Sequence, residues 1–243
     1  MSDWFNKAEQ FLPDIGEDAQ VASCSNVPMT EEDFHLLFET RDSLAACFYR
    51  VDKINEAIKI CEPYLLKTAK SSVAPPFTDC PIELLNNECK IILFELESLV
   101  HLLAGHIERI GKLLEVHYGG ICKGPLYMTI RKLPDQCVIK KDLLKDVPIF
   151  EYLHELRNYS LHKMSLSYIL HIAVLKATLL IQLPDLACIK KETVINVPSQ
   201  FTYNESRTVE TEVTKWVKSA AKATQFIVSE YFNLRVERKT VDS

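Results

Sequence analysis

Between Pro81 and the Gly119-Gly120 pair the chain runs without another proline through an apolar-rich stretch, and no other feature limits the fold as much. Proline suits the first position of a helix, where its missing N–H has no partner to lose, and glycine suits the residue just past the end. One long helix from Pro81 to about Tyr118 is therefore expected. Further helices are expected on both sides of it. Residues 3 to 12 set Trp4, Phe5, Ala8, Phe11 and Leu12 at helical spacing, and the Ser/Asn/Pro-bearing stretch from Ser23 to Pro28 separates that short helix from the next. Thr30 followed by Asp33 resembles a cap for a helix carrying Phe34, Leu37, Phe38, Leu44, Phe48, Val51, Ile54 and Ile58. Pro63 should kink or end it, because proline removes one backbone hydrogen bond and clashes with the preceding turn. Lys70 to Pro81 is the clearest internal loop.

Beyond Gly120 the signals are mixed. Tyr127, Thr129 and Ile130 favour a short extended piece before Pro134. Asp146 can cap a helix with Pro148 in its first turn, and the stripe Leu161, Met164, Tyr168, Ile172, Leu175, Leu179 carries that helix on to Leu183-Pro184. Residues 186 to 198 read as a small β-hairpin. Asn204 then caps a last helix through Val209, Val213, Trp216, Val217, Ala220, Ala223, Ile227 and Tyr231, ahead of a polar, frayed tail over 235–243. The expected fold is all-α, a helical bundle of about five helices in one domain over 1–243. Its core spans roughly 30–182, with a hairpin and helix over 186–234.

Of the 243 residues 47% are hydrophobic, which is ample for a packed core and inconsistent with general disorder. A net charge of −5 argues against broad, unspecific affinity for nucleic acid, although local cations can still hold a phosphate backbone. Such cations cluster between Lys123 and Lys145, where Lys140, Lys141 and Lys145 are the candidate RNA contacts. The eight cysteines form no C-x-x-C pair and no leader precedes them, so reduced thiols in a cytoplasmic protein are expected. The apolar run Ile169 to Ile181 is broken by His171 and Lys176 and is too short to span a bilayer, so no membrane partner is expected.

The stretch with most chemistry is Arg157-Asn158-Tyr159-Ser160-Leu161-His162, which sets a cation, an amide and an imidazole in an otherwise apolar helical segment. On a helix Asn158 and His162 share a face with His154, and Glu155 sits beside them. Arg157 lies about 140° round the helix from His162. Tyr159 and Ser160 fall on other faces, Tyr159 for packing and Ser160 as a helix-surface hydroxyl.

Arg157, a polar residue directly after it (Asn158) and His162 after four intervening residues resemble the signature of the HEPN family. The variant of that signature with a Tyr two residues after the His is not met, since Met164 stands there. The resemblance implies an all-helical domain that dimerises and joins two motifs into a metal-independent ribonuclease site, without cofactor or metal. His162 would then move the proton of the ribose 2′-hydroxyl or of the leaving oxygen. Arg157 would stabilise the phosphoryl oxygens and Asn158 would hold the imidazole or the phosphate. The alternative is a HEPN-like protein that binds nucleotide or RNA, or regulates, without catalysis. A remote reading from another class uses the Glu-x-x-His units Glu32/His35 and Glu151/His154, with Glu95, Glu97 or Glu108, as a di-metal bundle site. His101 and His106 are five apart, and so do not make a ligand pair on a helix.

Overall fold

The computed structural model describes residues 2–12, 31–71, 87–118, 124–162, 166, 170–175, 178–191, 202–205 and 207–241. Its elements are α1 (Ser2–Glu9), α2 (Glu31–Ser71), α3 (Asn87–Tyr118), α4 (Leu126–Lys132), α5 (Val138–Leu143), a 3-10 turn (Leu144–Asp146), α6 (Val147–His162), β1 (His171–Leu175), β2 (Thr178–Gln182), α7 (Leu186–Lys191) and α8 (Val209–Val241). The fold is all-α, and the antiparallel β1-β2 pair is the one sheet among the described residues.

Three long helices form because buried residues recur at steps of three and four. In α2 these are Leu37, Thr40, Leu44, Cys47, Val51, Ile54, Ala57 and Cys61; in α3, Ile92, Leu96, Leu99, Leu103, His106, Ile110 and Leu113; in α8, Val209, Val213, Trp216, Ala220, Ala223 and Ile227. That spacing keeps one stripe facing a neighbouring helix, and each fully buried large side chain contributes about 1.5 to 3 kcal/mol. α3 runs to Tyr118, while the glycine pair expected to stop it and residues 81–86, expected at its start, lie outside the described set, as do the expected linker over 23–28 and residues 72–80 of the expected loop. α2 runs through Pro63 to Ser71 instead of ending there. Pro63 is exposed, and so is Lys59 four residues before it, so water can satisfy the carbonyl that proline leaves without a donor.

Four further expectations are corrected. The piece expected to be extended at Tyr127–Ile130 is α4, because Leu126, Thr129, Ile130 and Leu133 are buried at helical period and outweigh local β preference. Met128 and Thr129 donate to the Pro125 carbonyl at 2.9 and 3.1 Å, and Gly124 before it adopts φ +120, open mainly to glycine. The helix carrying the motif ends at His162 rather than Leu183. Residues 171–182, rich in Ile, Val, Leu and Thr, fit strands as well as a helical stripe, and they pair with Leu175 opposite Thr178 and His171 opposite Gln182. The hairpin expected over 186–198 is absent from its described part: Leu186–Lys191 is α7, and residues 192–201 lie outside the description. The last helix starts at Val209, where Thr208 Oγ1 accepts the Thr211 N–H at 3.3 Å, and it runs to Val241 through much of the tail expected to fray.

Two compact units divide the chain: Met1–Phe48 with Leu102–Glu151 and Val217–Ser243, and Tyr49–His101 with Tyr152–Trp216. In the first unit Arg41 reaches Glu9 at 3.5 Å and stacks on Phe38 at 4.8 Å, holding α1 to α2. The Asp146 carboxylate accepts from Ser219 Oγ at 2.9 Å and Lys222 Nζ at 3.2 Å, so the residue expected as a helix cap ties α8 to the turn before α6. His106, fully buried, meets Thr224 Oγ1 at 2.7 Å.

The second unit is fastened by Asp185. Its carboxylate accepts from the Thr202 hydroxyl at 2.6 Å and from the N–H groups of Asn204 and Glu205 at 3.1 and 3.0 Å. Burial pushes that carboxyl up, but these hydrogen bonds and the Arg207 charge outweigh it and leave it below the usual carboxylate range. Asn204, expected as a cap, therefore gives its N–H to this clasp. Arg207 lies 4.7 Å from the centre of the buried Tyr152 ring and pairs with Glu212, which also accepts the Trp216 Nε1–H at 3.2 Å.

Candidate functional site

α6 is two-sided. Leu153 and Leu156 are fully buried and Tyr159 is 2% exposed, and they close the core of the second unit. On the other side His154, Glu155, Arg157 and Asn158 are half-buried, and Leu161 and His162 are exposed. The helix ends at His162, so its imidazole stands at a terminus clear of the core. At 100° per residue Leu161 falls between Arg157 and His162, about 40° from the first and about 100° from the second.

The Asn158 amide donates from Nδ2 to Nε2 of His154 at 3.0 Å, one turn back. An amide nitrogen only donates, so Nε2 of His154 is the acceptor in this contact. The amide thus orients His154, while the sequence pointed to His162. Arg157 and His162 keep the separation of about 140° that helical geometry imposes, so they stand towards opposite edges of that solvent-facing side.

The contact that sequence reading missed joins α6 to α3. Ser160 Oγ lies 3.0 Å from His101 Nε2, and the same hydroxyl donates to the Arg157 carbonyl at 3.3 Å. Both side chains are half-buried. A signal for Ser160 existed: Ile149, Leu153, Leu156 and Ser160 follow the steps of three and four that mark core positions, which turns the hydroxyl towards a neighbouring helix. Nothing local marked His101, whose partner is 59 residues away. Nearby, Glu97, one turn before His101, accepts the Leu166 N–H at 2.8 Å.

The basic candidates lie in the first unit, and the motif in the second. Lys140 Nζ donates to the Leu133 carbonyl at 2.8 Å and to Asp135 at 2.7 Å, and this partner holds the Asp135 carboxyl below its usual range. Lys140 is therefore a local tether, while Lys141 and Lys145 are exposed. The di-metal alternative finds its residues otherwise engaged: Glu151 accepts from Arg131 at 2.7 Å, Glu95 from Arg50 at 2.5 Å, and His154 from Asn158. Among the described residues no three His, Cys, Asp or Glu side chains gather where they could hold a metal ion, and no helix is long and apolar enough to cross a membrane.

No protein-family model, curated protein or solved structure matches this chain.

Proposed function

We propose that the chain is a HEPN-like endoribonuclease that needs no metal ion and acts as a cytoplasmic homodimer through Arg157, Asn158 and His162. The observation that carries this reading is the division of α6: its apolar side closes a core, and its motif residues lie on the side partly or fully open to solvent. A histidine sealed in a core reaches no phosphodiester, whereas one at an exposed helix end does. Imidazole moves protons near neutral pH, and guanidinium offers paired donors to phosphoryl oxygens. Leu161, 50% exposed amid polar neighbours, supports the dimer, because an apolar centre with a polar rim suits a self-complementary twofold contact.

Binding of nucleotide or RNA without cleavage is the second reading. Its support is the hydrogen bond that commits Asn158 to His154 and leaves His162 without that amide as an orienting group. Labelled RNA incubated in EDTA with the protein and with H162A separates the two. Under the ribonuclease reading the protein cuts RNA and spares DNA, and H162A is slower by about 10²- to 10⁴-fold. H162A should melt as the parent does, since exposed substitutions change stability by about 0.5 kcal/mol or less. RNA bound but uncut supports the second reading. Cleavage at equal rates by both proteins rejects the role of His162.

A further inference from the structure

The Ser160 hydroxyl has one hydrogen. With that hydrogen given to the Arg157 carbonyl, its oxygen accepts from Nε2–H of His101, and the lone pair of the His101 ring is on Nδ1. At 100° per residue Arg157 is about 60° from Ser160 round α6, whereas His162 is about 160° from Ser160. Residues three apart on a helix are surface neighbours, so Arg157 borders the flank of α6 that meets His101. His162 borders the opposite flank. A phosphodiester docked beside Arg157 on the α3 flank would lie on the side of α6 that meets His101, with His162 of the same chain about 140° round the helix.

Resting on the ribonuclease reading, we propose that His101 is the catalytic base that works beside Arg157, that Ser160 positions it, and that each His162 serves as the acid for the site of the other copy. The 2′-oxygen attacks the adjacent phosphorus while its proton passes to Nδ1 of His101. The P–O2′ bond forms, the P–O5′ bond breaks, and O5′ takes a proton from the imidazolium of the partner subunit's His162. A 2′,3′-cyclic phosphate and a 5′-hydroxyl result, and exchange with water returns both rings to their starting protonation. Arg157 holds the non-bridging oxygens throughout, so charge that develops on them has a fixed donor. Ser160 fixes which ring nitrogen carries the lone pair, and never touches the substrate.

Mixed dimers test this directly. H101N, R157A and H162A are each made alone and, with two affinity tags, as co-expressed pairs, and RNA cleavage is measured in EDTA. Each variant alone should fall by about 10²- to 10⁴-fold. Mixed dimers of H101N with H162A, and of R157A with H162A, each retain one intact site of two and should recover about half the parental rate, by the symmetry of a twofold dimer. Mixed dimers of H101N with R157A lose one residue from each site and should recover nothing. Recovery with H162A also shows that H101N and R157A fold. S160A should displace the limb of the pH–rate profile that reports the base, with KM unchanged. H101N cutting as fast as the parent overturns the proposal and leaves the ribonuclease reading standing; so does recovery in the H101N and R157A pair. A parent protein that cuts no RNA removes both.

Discussion

Acid should destabilise the first unit through His106. This ring occupies a core position of α3, donates or accepts at Thr224 by one nitrogen, and its Nδ1 has no hydrogen-bond partner among the described residues. Burial, with the Arg109 charge adding to it, pulls its pKa down from the ordinary 6.5 to about 4. The unfolded chain therefore takes up a proton first as the pH falls. Stability is complete above about pH 6.5, declines between about 6.5 and 4, and declines no further below that through this group. The whole separation is worth roughly 3.4 kcal/mol, of which about 2.5 kcal/mol is lost by pH 4.5. His106→Met removes the titration at similar volume. Thr224 still donates to the Ala220 carbonyl at 2.8 Å, so the substitution leaves no unpaired donor. Urea unfolding followed by circular dichroism at about pH 7 and pH 4.5 gives the stability of each protein. The advantage of the parent over H106M should shrink by about 2 to 3 kcal/mol between the two, while carboxylates common to both cancel. An advantage that is the same at both pH values refutes the buried neutral imidazole.

Two other predictions concern packing and assembly. Glu212→Ala leaves the Trp216 N–H unpaired and removes one partner of Arg207 in a buried setting, so urea unfolding should show a loss of about 3 to 5 kcal/mol. A loss under about 1 kcal/mol would mean that Glu205 alone satisfies Arg207 and that water reaches the indole. Leu161→Glu should convert a dimer seen by light scattering into a monomer with unchanged helicity, because it places a charge at the centre of the exposed face of α6. A parent protein that is monomeric at micromolar concentration, or an L161E that stays dimeric, removes that face as the contact.

The helices were legible where one period ruled without competition. Leu37, Leu44, Val51 and Ile54, and later Val213, Trp216 and Ala220, repeat at three and four with nothing else explaining them, and α2 and α8 follow. Past His162 the same letters fit two periods. Ile172, Leu175 and Leu179 form a helical stripe and are also good strand residues, and the pairing of β1 with β2 decided between them. At Tyr127–Ile130 the β preference of single residues competes with the buried spacing Leu126, Ile130, Leu133, and the spacing prevails. The site divides in the same way. Helical geometry alone put Asn158 beside both His154 and His162, one turn either way, and only side-chain placement chose His154. His101 could not be read at all, because its relation to Ser160 exists only once α3 and α6 are packed.

The ends of the fragments test most directly whether RNA is cut by attack of its own 2′-hydroxyl. RNA is digested in EDTA and the termini are identified by mass spectrometry and phosphorus NMR. The mechanism predicts 2′,3′-cyclic phosphate opposite 5′-hydroxyl, and no cut at a position carrying a single 2′-deoxy sugar, because there the nucleophile is missing. Fragments ending in 3′-hydroxyl and 5′-phosphate, formed only when manganese or iron is restored, would contradict it and point to metal-activated water instead.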